Sequence, residues 1–278
     1  MNLLNWLTNP DRPPLVMGVL NVTPDSFSDG GQWIDPAAAA DRAGQMLADG
    51  AAIIDIGGES TRPGSQSVPE AEQICRVVPV IERLMRANPS AIVSIDTTRA
   101  AVAAAALDAG STIVNDISAG LGDPALLPLV ADRTAVVALM HMQGTPATMQ
   151  HAPTYADVTS EVKSFLASRL QAAQSAGVAP SRVLLDPGIG FGKTVEHNLQ
   201  LLRDLAVFTT LGQPLLVGTS RKGFIGRITG ETDPADRLFG TAATVAWSIA
   251  NGASIVRVHD VAPMARVVRM IQAIQKKA

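Results

Sequence analysis

Eight short runs of β-branched residues alternate with longer stretches of helical spacing along almost the whole chain. The strand candidates are Leu15–Val22, Ala52–Ile56, Ile92–Thr97, Ile113–Ile117, Ala135–His141, Val183–Asp186, Leu215–Thr219 and Ile255–His259. They are rich in Val and Ile and too short for helices. Between them lie helix candidates. Asp35–Gly50 opens on Asp-Pro and closes on glycine. Pro69–Ala87 and Ala100–Ala109 follow, then Thr154–Ala176, whose Val158, Val162, Phe165, Leu166 and Leu170 share one stripe. Val195–Leu205, Pro234–Asn251 and Ala262–Lys276 complete the set. Strands apolar on both faces indicate parallel pairing. Eight such units of about 35 residues suit a (β/α)8 TIM barrel, an α/β fold of ~250 residues. An open doubly wound sheet is the alternative, but no Gly-x-Gly-x-x-Gly turn follows the first strand. The Pro/Gly-rich segments sit at strand ends, so the chain reads as one domain. Residues 1–14 form an N-terminal extension and residues 15–278 the barrel.

Composition narrows the partners. With 22 Lys and Arg against 25 Asp and Glu, the net charge is -3, which argues against a general nucleic-acid binder. The single cysteine, Cys75, excludes an internal disulfide framework and a multi-cysteine zinc site. It lies in a helical stripe and reads as core packing. The first residues carry no basic, apolar leader pattern, and the apolar run Ala100–Leu107 is far shorter than the roughly 20 residues a bilayer span needs. A cytoplasmic protein without membrane contact is expected.

The polar residues gather at the C-terminal ends of the strands. The first strand runs into NVTPDSFSDGG and the second into DIGGESTRPGS. The third ends at Asp96, the fourth at Asn115 and Asp116, and the fifth in MHMQGTP. The sixth runs into DPGIGFGK, the seventh into GTSRKGF, and the eighth reads VRVHD. In a barrel these ends surround a single mouth, where such enzymes place their active sites. Arg257 and His259 are two apart and share a strand face, leaving Val256 and Val258 for the helices. Only one of Asn115 and Asp116 faces inward, and an amide is cheaper to bury there than an unpaired carboxylate. Arg62, Lys222, Arg257 and His259 supply donors for anions. Asp96, Asn115 and Asp186 supply partners for a polar heterocycle.

These motifs, in this order over roughly residues 15 to 265, resemble dihydropteroate synthases, the folate-pathway family targeted by sulfonamides. Val22, where many members have Leu, is a conservative departure. The resemblance implies a homodimeric TIM-barrel transferase that condenses 6-hydroxymethyl-7,8-dihydropterin diphosphate with p-aminobenzoate, giving 7,8-dihydropteroate and pyrophosphate with Mg²⁺ assisting. It also implies that Asp96, Asn115, Asp186 and Lys222 form the pterin site, with Met140 packing against it. Asn21 is implied as the metal ligand, and Arg257 and His259 as diphosphate groups. Phe27, Thr61, Arg62, Pro63, Phe191 and Ser220 are implied on the p-aminobenzoate side, with two mobile loops closing over it. Asp96, Asp186, Lys222, Arg257 and His259 carry the catalytic expectation.

The chemistry fits a site without a nucleophilic triad. Loss of diphosphate from a CH₂ beside an electron-rich ring leaves a delocalised cation, so an SN1-like step is expected. Arg257, His259, loop amides near Thr61 and Mg²⁺ would stabilise the departing charge. Mg²⁺ keeps several waters, so one amide oxygen from Asn21 plus phosphate oxygens is an adequate site. The aromatic amine is already neutral at pH 7 and needs positioning more than a strong base. Either Arg62 or Ser220 receives the p-aminobenzoate carboxylate, helped by a helix beginning near Ser220.

Other residues have plainer readings. His141 and His197 are expected to be structural, and His151 a loop residue. Thr97 or Thr98 is the expected cap for Ala100–Ala109. Gly188 and Gly190 are either turn residues or ligand contacts, and Arg221 packs or pairs outward. Arg266, Arg269, Lys276 and Lys277 form a solvated face. Two rival functions remain distinct. A barrel aldolase would form a borohydride-trappable Schiff base on Lys222. A non-catalytic pterin-binding relative, or the pterin domain of a methyltransfer system, would bind pterin without condensation.

Overall fold

The computed structural model describes residues 2–23, 35–60, 64–65 and 67–276. Its strands are β1 (Leu15–Asn21), β2 (Ile53–Gly57), β3 (Ile92–Asp96), β4 (Ile113–Asp116), β5 (Val136–Met140), β6 (Val183–Asp186), β7 (Leu215–Val217) and β8 (Ala253–Val258). They form a closed barrel in chain order, each parallel to its neighbours, with β8 returning to β1. The TIM-barrel expectation is met.

Alternation along each strand divides the core in two. Ile54, Ile56, Val93, Ile95, Val114, Val137, Val256 and Val258 belong to the large cluster beneath the helices. The other strand face points into the barrel, where Met17, Ile53, Ile92, Ile113, Val136, Leu184, Leu216 and Ile255 fill the N-terminal half. Above that apolar layer the inward positions turn polar. The register aligns Asn21 with Gly57, Gly57 with Asp96, and Asp96 with Asn115. The same side-chain period that buries isoleucines at the floor therefore delivers polar groups to the mouth.

The floor is closed from below by α1 (Leu3–Thr8), whose short sequence carries no periodic signal. Its Trp6 and Leu7 are buried in the interior cluster. The Trp6 indole N–H donates to the Pro13 carbonyl at 2.8 Å, so the ring buries without an unsatisfied donor. The Arg12 guanidinium lies 5.8 Å from the ring centroid.

The outer helices are α2 (Pro36–Ala48), α3 (Glu70–Ala87), α4 (Ala100–Asp108), α5 (Leu126–Asp132), α6 (Val158–Ser175), α7 (Val195–Arg203), α8 (Gly223–Thr229), α9 (Leu238–Ala250) and α10 (Val261–Gln275). Asp35 caps α2 by accepting from Ala37 N–H at 2.8 Å. Asp157 caps α6 by accepting from Thr159 N–H, so the helix starts at Val158, the first residue of its apolar stripe, and not at the expected Thr154. The expected helix Pro234–Asn251 divides into a 3₁₀ turn, Pro234–Arg237, and α9. Helices α5 and α8 escape sequence patterning because each is only 7 residues long.

Two expectations are corrected. The N-terminus of α4 is capped from across the fold by Asp123, whose carboxylate accepts from Ala100 N–H at 2.8 Å. Thr97 instead accepts from Arg99 N–H, one residue too early to cap the helix. Cys75 is exposed, not packed in the core. The buried face of α3 carries Gln73, Val77, Val80, Ile81 and Leu84. Cys75 lies two residues from both Gln73 and Val77, which places it on the opposite side of a 3.6-residue helix. No helix among the described residues is long and apolar enough to cross a membrane.

Candidate active site

A small cavity, open to solvent, lies at the C-terminal mouth of the barrel. Asp96, Asn115, Met140, Asp186, Phe191, Ser220, Lys222, Arg257 and His259 all line it, together with Ile117 and Gly218. Nine positions singled out in the sequence thus meet in one place. Asn21 ends β1 on the same row as Asp96 and is outside the cavity lining. Phe27, Thr61, Arg62 and Pro63 lie outside the described residues, as does the segment Phe27–Gly31.

The cavity rests on a buried charge network. Arg257 on β8 donates from Nε to Asp55 Oδ2 at 2.6 Å and from Nη2 to Asp96 Oδ2 at 2.7 Å. Asn115 Nδ2 donates to the same Asp55 oxygen at 3.0 Å. Asp55 is fully buried, and its role was not anticipated. The signal was present: a carboxylate inside the apolar run IIDIG demands a buried partner. Asp116 takes the other strand face, where it accepts from the N–H and hydroxyl of Ser118.

Burial pushes the Asp96 carboxyl up to about 7, against the opposing pull of Arg257, while the charges of Asp55, Asp116 and Glu59 add to the rise. Burial also raises Asp186, and Lys222, the Gly188 amide, Lys193 and Arg257 oppose it. Burial lowers Lys222 to about 8, offset in part by Asp186, with Arg257 adding to the depression. Asp186 and Lys222 are thus buried opposite charges, each favouring the other's ionised form against the cost of burial.

Local backbone geometry aims these groups. Asp186 Oδ1 accepts from Gly188 N–H at 2.7 Å, leaving its other oxygen for the cavity. Gly188 has φ +68°, and a Cβ there would lie 1.9 Å from the His141 carbonyl oxygen. Gly190 has φ +84°, and a Cβ would lie 2.7 Å from Lys222 Cδ. Both glycines are therefore required by close approach as well as by the turn. Lys222 Nζ donates to the Ile189 carbonyl and sits 4.5 Å from the Phe191 ring centroid. His259 Nδ1 lies 3.1 Å from Ser220 Oγ. Arg221 turns away and pairs with Asp260, its Nε donating at 2.9 Å.

The remaining histidines have structural surroundings. His197 completes a capping box with Thr194 at the start of α7. His141 stacks edge-on against Phe165 with centroids 4.8 Å apart. Beside it lies Lys193, a buried lysine that sequence reading passed over because a lone lysine is ordinarily on the surface.

No group of three or more His, Cys, Asp or Glu suited to a metal occurs among the described residues. Asn21 remains a fitting donor for a hard cation. Its Oδ1 lies 3.8 Å from where a Gly57 Cβ would stand, so the missing side chain keeps space open between Asn21 and Asp96. One amide oxygen suits Mg²⁺, which retains waters and takes its other ligands from phosphate. The arrangement can thus bind a flat, hydrogen-bonding ring beside an anionic leaving group.

Comparison with known proteins agrees with this geometry. Residues 17–259 match the family of pterin binding enzymes. The dihydropteroate synthase of Synechocystis is 48% identical over 259 residues, covering 93% of this chain and 89% of that relative. The dihydropteroate synthase of Escherichia coli K12 is 44% identical, covering 94% of this chain and 91% of its own length. The Xanthomonas albilineans dihydropteroate synthase solved with 4-aminobenzoic acid superposes with a TM-score of 0.89 at 44% identity, covering 96% of this chain and 94% of that one. A second structure of that enzyme, in complex with 7,8-dihydropteroate, gives 0.86 at 41% identity, with coverage of 96% and 95%. The chain belongs to the pterin-binding enzymes and, among them, to the dihydropteroate synthase family.

Proposed function

We propose that the protein condenses 6-hydroxymethyl-7,8-dihydropterin diphosphate with p-aminobenzoate, releasing 7,8-dihydropteroate and pyrophosphate. The observation that carries this reading is one cavity lined by Asp96, Asn115, Asp186 and Lys222 together with Arg257 and His259. Ring recognition and anion binding are then adjacent, as cleavage of a carbon–diphosphate bond beside a pterin requires.

The free oxygen of Asp186 accepts from pterin N–H donors, and Lys222 donates to a ring acceptor. The C–O bond to diphosphate breaks first, and its electron pair leaves with pyrophosphate. Arg257 and His259 oppose the charge that grows on the departing group. The amine nitrogen of p-aminobenzoate then bonds to the CH₂, and the resulting ammonium loses its proton to solvent. Ser220, at the cavity wall, is a hydrogen-bond partner for the second substrate. Mg²⁺, held by Asn21, supplies further charge neutralisation to the diphosphate when bound.

The direct test is a pyrophosphate-release assay with purified protein and Mg²⁺. Release is expected only when both substrates are present. Tight pterin binding without release would instead favour the non-catalytic relative.

A homodimer belongs to the same reading. Phe239 is 86% exposed and Trp247 51% exposed on α9, and Met270 and Ile274 on the packed helix α10 and Leu199 on α7 are exposed as well. Trp247 Nε1 donates to the Leu202 carbonyl, tying α9 to α7. An apolar face of this kind suits a second copy of the chain. Phe239→Asp is expected to convert dimers to monomers in sedimentation equilibrium. A monomeric parent protein at micromolar concentration would remove the proposal.

A further inference from the structure

We propose that Lys193 is a positioning residue for the pterin side of the reaction: it clamps the backbone after β6 so that Phe191 and the Ile189 carbonyl hold Lys222 in the cavity. This rests on the pterin-diphosphate reading above. Lys193 is 2% exposed and forms no ion pair among the described residues. Its ammonium group meets three neutral acceptors: His141 Nδ1 at 3.0 Å, the His141 carbonyl at 3.4 Å and the Phe191 carbonyl at 2.9 Å. With Nζ protonated, His141 Nδ1 accepts and the imidazole proton sits on Nε2. Burial, and then the Lys193 charge, holds His141 down to about 3, so the ring stays neutral.

A buried cation with no carboxylate in contact is costly, which asks for a purpose. The segment it grips provides one. Four consecutive carbonyls each accept from a side chain. Ile189 is held by Lys222, Gly190 by Gln150 at 3.0 Å, Phe191 by Lys193, and Gly192 by the Tyr155 hydroxyl at 2.7 Å. Lys193 also joins this segment to the loop after β5 through both His141 acceptors. The Phe191 ring and the Ile189 carbonyl both meet the Lys222 ammonium. Loosening the Phe191 carbonyl therefore loosens Lys222 through both of its contacts, while the p-aminobenzoate side is reached only through the Phe191 ring and changes less.

The charge has a second consequence. Asp186 faces Lys222, Lys193 and Arg257, each of which favours its ionised form, as does the Gly188 amide. Lys193 itself faces Asp186, Lys222 and His141, with burial lowering it well below the ordinary lysine range. Removing its charge raises the Asp186 carboxyl further. Activity that needs ionised Asp186 is lost as pH falls through that value, so the acid limb moves to higher pH.

The test compares Lys193→Met and Lys193→Gln with the parent protein in steady-state pyrophosphate release, with pterin binding followed by calorimetry. Lys193→Met is expected to raise KM for the pterin substrate about tenfold, leave KM for p-aminobenzoate within about twofold, and shift the acid limb upward. Lys193→Gln restores donors without charge, so most of the KM returns and the limb stays shifted. If the parent protein is active and folded variants keep its constants and pH profile, the positioning role is wrong. Equal changes in both KM values, or a failure of both variants to fold, would make Lys193 a folding residue and likewise overturn it. An inactive parent protein would refute the functional reading instead, while calorimetry still reads the clamp through pterin affinity.

Discussion

Asp186→Asn is expected to lower kcat/KM for the pterin substrate by about 100- to 1,000-fold, since losing one preorganised charged partner costs ~3–4 kcal/mol. The geometry makes the isosteric change severe. One carboxylate oxygen is already occupied by Gly188 N–H at 2.7 Å. An amide must spend its single oxygen on that donor and so presents NH₂ to the ring's own N–H groups. Stability moves the other way. Burial raises the folded pKa of Asp186, so its ionised form at pH 7 works against folding. A neutral side chain relieves that cost, and the melting temperature is expected to hold or rise. Steady-state assays beside thermal melts check both parts. A loss smaller than about threefold would remove Asp186 from ring recognition.

Asp55→Leu is expected to destabilise the protein by about 3–5 kcal/mol in urea unfolding, because it strips one partner from a guanidinium inside the barrel. Arg257 would keep Asp96 at 2.7 Å but lose the 2.6 Å contact to Asp55, and Asn115 would lose its acceptor at 3.0 Å. Adding Arg257→Met should restore part of the stability while leaving the enzyme inactive. A double variant no more stable than Asp55→Leu would show that the two side chains are uncoupled. A single-variant cost below about 1 kcal/mol would mean that water reaches the pair freely.

What could be read from the sequence follows from the range of the forces involved. Strands announce themselves locally through runs such as Ile92–Asp96, and helices through stripes such as that of α6. Their count and order suffice for a closed parallel barrel. Strand ends were less legible. β7 stops at Val217, two residues before the expected Thr219, and β8 starts at Ala253, where no β-branched residue marks it. Alternation within one strand also separated Asn115 from Asp116. Asp55 was missed because its partner lies on the last strand, and Lys193 because its acceptors are backbone carbonyls and a histidine that no spacing rule connects. The Asp123 cap was hidden for the same reason: it lies 23 residues from the helix it serves. Long-range polar contacts leave no periodic trace, whereas burial does.

Arg257 reaches Asp96 across 161 positions and Asp55 across 202. A nascent polypeptide leaving the ribosome therefore exposes both carboxylates long before their shared counter-ion exists. At about 5–20 residues per second, that interval is of the order of ten seconds or more. During it the half-made ring must keep two acidic groups wet at what later becomes its dry centre. Emergence of the final strand closes the ring and neutralises them in one event, so the protein acquires its reactive pocket and its last topological link together.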